Sequence, residues 1–237
     1  MKKTKINADV VILAAGSGKR MMADKNKILL NLGDRPIIAH TIARFYDHPM
    51  VRKIVLAIRE EDRDQIDSII GEYGFKNVVK VVGGAERQDS IYNCIAEISD
   101  DTHILLIHDG ARPFVDEDII TRSILETVDF GATCVGVPSK DTVKIVGPDG
   151  LIIDTPDRSQ VWCAQTPQTF RFDLIRDAHV RARQESFLGT DDASLVERYG
   201  HRVKMIMGSY VNNKITTPED IKQASYIFDL QASRRAR

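Results

Sequence analysis

Short apolar, β-branched runs alternate with segments of helical period along most of the chain, and this alternation limits the fold more than any other feature. Residues 53–58 and 77–82 read as strands and 103–108 as a fully buried strand, while 36–46, 64–73, 88–98 and 116–128 carry apolar residues at helical spacing. Such βαβα order gives a mostly parallel sheet covered by helices on both faces. The expected class is therefore α/β, Rossmann-like, with ligands collecting at the carboxyl ends of the strands. Those ends carry Gly16, Gly83-Gly84 and Asp109.

The rhythm changes after Thr133. Residues 134–137 form a strand, but 142–145 and 151–154 flank Gly147-Pro148-Asp149-Gly150, which is a hairpin signal. An isolated two-stranded ribbon is marginal in water, so this arm, about 139–160, is expected to pack on another subunit. The alternation resumes with a strand at 161–164, helices at 171–184 and 193–199, a strand at 203–207 and a helix at 218–230. Arg234, Arg235 and Arg237 read as a solvated, frayed end. No linker or repeat interrupts the chain, so residues 1–237 are expected to form one domain with a projecting β-hairpin arm.

The 237 residues, 43% of them hydrophobic, are enough for a substantial core, and a formal net charge of -1 provides no global field for nucleic acid or an anionic membrane. Any anion site must be local. The apolar run after the basic N-terminus is too short for a signal h-region or a spanning helix, so a cytoplasmic setting is expected. Cys94, Cys134 and Cys163 lie too far apart for a zinc pattern or a disulfide framework and read as structural or incidental.

The local anion site is the turn after the first strand. Val11-Ile12-Leu13 runs into Ala14-Ala15-Gly16-Ser17-Gly18, followed by Lys19, Arg20, Lys25 and Lys27. Ala14, Ala15, Gly16 and Gly18 let a backbone approach phosphate oxygens, and the cations behind them offset the charge. Two familiar phosphate loops do not match. The P-loop needs a glycine five residues before Gly18 and Ser or Thr in place of Arg20, and the dinucleotide fingerprint needs a small residue in place of Met21.

The remaining pattern resembles the signature loop of nucleotidyltransferases that join a sugar or alditol phosphate to a nucleoside triphosphate. Further blocks follow in order: Gly83-Gly84 with Arg87 and Ser90, His108-Asp109-Gly110-Ala111-Arg112-Pro113, Lys140-Asp141-Thr142 with Lys144, Asp157-Arg158, Gln165-Thr166-Pro167-Gln168, Thr190-Asp191-Asp192-Ala193-Ser194 and Asn213-Lys214-Ile215-Thr216. From about residue 9 to about 228 the chain resembles the 2-C-methyl-D-erythritol 4-phosphate cytidylyltransferases.

That resemblance implies CTP-dependent transfer to an alditol phosphate, with release of pyrophosphate. It matches Arg20 and Lys27 to the catalytic cations, although the family usually has Pro-Lys-Gln where this chain has Asn26-Lys27-Ile28, and Lys25 competes for the role. Ala14, Ala15, Gly16, Gly18, Gly84, Ser90 and Asp109 match the CTP site. Asp109, at a strand end, is also placed to hold Mg²⁺ or another divalent cation, with a turn or helix-capping aspartate as the alternative. Thr142, Arg158, Thr166, Thr190 and Lys214 match the acceptor site, and Arg112 reads as orienting the alditol or bracing the loop. The threonines also have turn or N-cap readings, Lys214 one as the flank of a helix, and His108 reads as structural. The resemblance further implies a homodimer in which Arg158 of the arm reaches the partner's site. Ala85 stands where many relatives carry Asp, which leaves pyrimidine choice to backbone groups.

Ribitol 5-phosphate cytidylyltransferases share most of these blocks, and Ala111 rather than valine before Arg112-Pro113 favours methylerythritol. A sugar-1-phosphate nucleotidyltransferase fits the blocks around Gly83 and Asp109 less well. A nucleotide-sensing module without turnover does not require intact Arg20, Lys27, Asp109, Arg158 and Lys214.

Overall fold

The computed structural model describes residues 6–16 and 26–235. Strand β1 (Ala8–Leu13) is followed by two two-residue strands, β2 (Asn31–Leu32) and β3 (Arg35–Pro36), and by α1 (Ile37–Tyr46). Next come β4 (Val51–Ile58), α2 (Arg63–Glu72), β5 (Val78–Val82), α3 (Arg87–Ile95), β6 (Ile104–Asp109), α4 (Glu117–Phe130) and β7 (Ala132–Pro138). The arm carries β8 (Ile145–Val146) and β9 (Ile152–Asp154), and the chain continues through β10 (Trp162–Arg171), α5 (Phe172–Gln184), α6 (Asp192–Arg198), β11 (Lys204–Met207) and α7 (Pro218–Arg235).

Seven strands form one sheet in the order β11-β7-β10-β6-β1-β4-β5. All its pairings are parallel except the two made by β10, which runs against β6 and β7. Because β1, β4 and β6 are flanked by strands and covered on both faces, they are apolar along nearly their whole length. Alternate side chains enter opposite layers. Val10, Ile12, Leu56 and Leu106 pack against Ile38, Ile42 and Phe45 of α1 and Ile120 and Ile124 of α4. Val11, Val55, Leu105 and Ile107 pack against Ile91 and Cys94 of α3 and Phe172 and Ile175 of α5. Cys94 and Cys134 are buried and Cys163 is exposed.

Three expectations change. The strand expected at 161–164 is β10, which continues to Arg171. Pro167 cannot donate a ladder hydrogen bond and so reads as a strand end, but a register shift between Ala164 and Gln168 accommodates it. Arg234 and Arg235, expected in a frayed end, have helical backbone within α7, and Arg237 lies outside the described residues. In the arm only Ile145–Val146 and Ile152–Asp154 pair, leaving Thr142 before the ladder. Ile145, Val146, Leu151, Ile152 and Ile153 of the arm face solvent, up to 69% exposure at Ile153.

Parallel register places the functional ends side by side: Leu13 pairs with both Ala57 of β4 and Asp109 of β6. Gly110 continues this alignment, donating its N–H to the Leu13 carbonyl at 2.8 Å while its own carbonyl accepts from Thr41 Oγ1 at 2.8 Å. A Cβ at Gly110 would lie 2.7 Å from the Leu13 carbonyl oxygen, a backbone atom that cannot turn aside. Gly110→Ala should therefore destabilise the fold by about 1–3 kcal/mol, the usual cost of overpacking, read from urea unfolding. An unchanged midpoint would contradict the close approach.

Candidate active site

The carboxyl ends of β1, β4, β5 and β6 open into a cleft of about 800 Å³. Of the residues singled out in the sequence, Ala14, Ala15, Gly16, Lys27, Gly84, Ser90, Asp109 and Lys214 line it together. Gly18 and Arg20 lie outside the described residues, as does Lys25. Lys27 opens a short 3₁₀ turn, Lys27–Leu29.

On the wall formed by the end of β5, a Cβ on Gly83 would lie 2.4 Å from the Cβ of Ala15, so only glycine lets this turn meet the β1 loop. Ser90 holds the turn in shape: its Oγ accepts from the Gly84 N–H at 3.0 Å and donates to the Glu86 carbonyl at 3.1 Å.

Asp109 is the electrostatic centre of the cleft. Its Oδ2 meets Lys214 Nζ at 3.1 Å and Arg112 Nε at 3.2 Å, while Oδ1 is 3.9 Å from Arg87 Nε. Burial pushes this carboxyl up, but Lys214, then Arg112 and Arg87, outweigh it and hold the group well below the usual carboxylate range. The carboxylate is thus ionised, and among the described residues the cation recorded at Oδ1 is Arg87, at 3.9 Å. An oxygen of that kind suits a divalent cation whose other ligands come from bound phosphates. Among the described residues, no three His, Cys, Asp or Glu side chains gather into a metal cage.

The remaining residues occupy other places. Arg112 anchors the loop after β6, with Nη1 donating to the Asn212 carbonyl at 2.7 Å. Thr166 is buried and turned inward, its Oγ1 accepting from the Asp109 N–H at 3.0 Å and meeting His108 Nδ1 at 3.0 Å. The hydroxyl expected to bind substrate therefore holds the end of β6, and Thr166 does not line the cleft. Thr190 lines a separate hollow of about 170 Å³ with Arg87 and Asp192. Thr142 and Arg158 are exposed on the arm and outside the cleft of their own chain; Arg158 Nη1 donates to the Lys140 carbonyl at 3.4 Å.

Sequence reasoning missed two connections. Arg87 lines the cleft and meets Asp192 at 2.7 Å, and Asp192 in turn meets His179 Nε2 at 3.2 Å in a buried pair. The available signal was an arginine in the first turn of a helix, where the helix dipole disfavours a cation unless acids hold it there. His108 is the second. Its Nε2 lies 3.1 Å from the Arg112 carbonyl, which can only accept, so Nε2 carries the proton and Nδ1 accepts from the Thr166 hydroxyl. Burial pushes this imidazole down to about 4.

The chain matches a family model described as 2-C-methyl-D-erythritol 4-phosphate cytidylyltransferase over residues 8–230. A protein of that name from Clostridioides difficile (strain 630) is 49% identical over 223 residues, covering 94% of each chain. Another, from Syntrophotalea carbinolica, is 51% identical over 226 residues, covering 93% of this chain and 95% of its own. Among solved structures, the 4-diphosphocytidyl-2C-methyl-D-erythritol synthase of Anaerococcus prevotii DSM 20548 superposes with a TM-score of 0.86 at 32% identity, covering 95% of this chain and 97% of its own.

The neutral His108 ring sets a pH dependence. Between about pH 4 and 6.5 the unfolded imidazole binds a proton that the folded one refuses, so stability falls as pH falls through that window. From pH 7 to pH 5, His108 should remove about 2 kcal/mol. The urea midpoint should drop accordingly, and by that much less in His108→Asn. Equal drops in both proteins would contradict a neutral buried ring.

Proposed function

The chain belongs to the 2-C-methyl-D-erythritol 4-phosphate cytidylyltransferase family, and from that membership and the cleft we propose that it joins 2-C-methyl-D-erythritol 4-phosphate to CTP. The products are 4-diphosphocytidyl-2-C-methyl-D-erythritol and pyrophosphate, a step in isoprenoid precursor synthesis. The observation that carries the reading is the meeting of the Ala14–Gly16 turn, Lys27, Lys214 and an ionised Asp109 in one cleft at the strand ends.

An oxygen of the acceptor phosphate attacks the α-phosphorus of CTP. The new P–O bond forms as the bond to the β-phosphate oxygen breaks, and pyrophosphate leaves with that electron pair. With a second pKa of about 6, the monoester is already mostly dianionic at neutral pH and needs no general base. The protein's task is to align two anions and to stabilise charge on the equatorial oxygens. Arg20 and Lys27 supply that charge. The backbone of Ala14, Ala15, Gly16 and Gly18 seats the triphosphate, and Gly84 and Ser90 flank the nucleoside. Lys214 and Arg112, both paired with Asp109, orient the acceptor. Thr142, carried on the arm with Arg158, and Thr190, in the hollow that shares Arg87 with the cleft, are assigned to the acceptor site, with Thr166 supporting it from behind Asp109. Mg²⁺, or another divalent cation, held by Asp109 and the phosphates, would offset negative charge.

The working form is a homodimer in which the arm crosses to the partner and delivers Arg158 to its cleft. Support comes from the arm's solvent-facing Leu151, Ile152 and Ile153, and from Arg158 not being among the residues that line its own cleft. The protein acts in the cytoplasm, without nucleic acid or membrane; no helix among the described residues is long and apolar enough to cross a membrane.

Pyrophosphate release with CTP and 2-C-methyl-D-erythritol 4-phosphate should far exceed release with ribitol 5-phosphate; the reverse order would overturn the acceptor assignment. Lys27→Ala should lower kcat by about 10²–10³, as for loss of one transition-state charge donor, with CTP binding largely kept. Unchanged turnover would move the role to Lys25. Mixing Lys27→Ala with Arg158→Ala subunits should restore activity at one of the two sites of a heterodimer, and verified heterodimers without recovery would contradict the crossing arm.

A further inference from the structure

Asn26 immediately precedes Lys27 and is only 2% exposed, so its amide must find partners within the protein. Its Oδ1 accepts from the Ile28 N–H at 3.4 Å and caps the Lys27–Leu29 turn. The Nδ2 group makes two bonds that a cap does not require. One goes to the Ala14 carbonyl at 3.0 Å, just beyond β1, and the other to Asp62 Oδ2 at 2.7 Å.

Asp62 is itself fixed. Arg59, which follows β4 and lines the cleft, grips it with Nε and Nη2, each at 2.7 Å, while Nη1 holds Glu61 at 3.0 Å. Burial pushes the Asp62 carboxyl up, but Arg59 and Asn26 outweigh it and hold the group below its ordinary value. One buried amide therefore ties the turn that carries Lys27 to the segments that follow two neighbouring strands.

We propose that Asn26 is a positioning residue, whose two donated hydrogen bonds fix the Lys27 turn against the end of β1 and against Asp62 in the turn that follows β4, and so hold Lys27 in the cleft. The proposal rests on the reading of Lys27 as a transition-state cation. A lysine ammonium on a flexible stem gains most when its backbone is fixed. Serine at position 26 separates the two roles of the amide: its hydroxyl can still cap the turn, but it cannot make both donated bonds.

The test is a double-mutant cycle on pyrophosphate release, with melting temperatures measured alongside. Asn26→Ser should lower kcat by about a hundredfold, the cost of a misplacement of about 1 Å, while KM for CTP stays nearly constant. In the Lys27→Ala background the same substitution should cost almost nothing more, because residues that act as a unit are not additive. An undiminished further loss in that background, or a change confined to melting temperature, would overturn the proposal. Should the serine variant not fold, Asn26→Ala enters the same cycle with the same two outcomes. Full kcat in Lys27→Ala alone would overturn the catalytic reading of Lys27, and this role with it; impaired Lys27→Ala with additive losses would overturn only the role of Asn26.

Discussion

The site is organised around a carboxylate that is buried yet charged. Asp109 sits at the end of the central strand β6, where an unpaired ion would carry a large desolvation cost. Lys214 and Arg112 offset that cost directly, and Arg87 does so from 3.9 Å. Each comes from a different part of the chain: the loop after β6, the first turn of α3 and the segment before α7. The requirement to neutralise one acid therefore draws these separate segments toward one point.

The same point is braced from behind. The Asp109 N–H donates to Thr166, the Thr166 hydroxyl donates to His108, and the His108 Nε2–H donates to the carbonyl of Arg112, itself a partner of Asp109. This closed circuit of hydrogen bonds has a neutral imidazole at its centre and fixes the direction of the carboxylate. Beyond Arg87, the buried Asp192 and His179 extend the polar arrangement to α6 and α5. Across the cleft, Asn26, Asp62 and Arg59 do comparable work beneath Lys27. Arg59, Arg87, Arg112 and Lys214 thus stand on acids placed to hold them, which suits a site that must receive highly charged ligands without rearranging.

Much of the fold was legible because strands buried on both faces must be apolar and β-branched, as β1, β4 and β6 are. The second half of β10 was not, since Pro167 carries the local signature of a break and only its neighbours show that the strand continues. Strands β2 and β3 have two residues each and leave no periodic trace. At the site, Lys214 was matched through the family resemblance alone, whereas the gathering of Gly16, Gly84 and Asp109 followed from strand ends being aligned in a parallel sheet. The direction of the Thr166 hydroxyl, the Arg87–Asp192 contact and the clasp made by Asn26 did not, because each depends on side chains far apart in sequence meeting across elements. Local pattern locates strand ends but not the partners that tension them.

The claim that Asp109 organises a triphosphate site is tested most directly by calorimetric titration of CTP into the wild type and Asp109→Asn, each with and without Mg²⁺. CTP affinity should rise with Mg²⁺ in the wild type and lose most of that dependence in Asp109→Asn, with metal-independent binding through the cleft's cations remaining. An equal response to Mg²⁺ in both proteins would contradict the account.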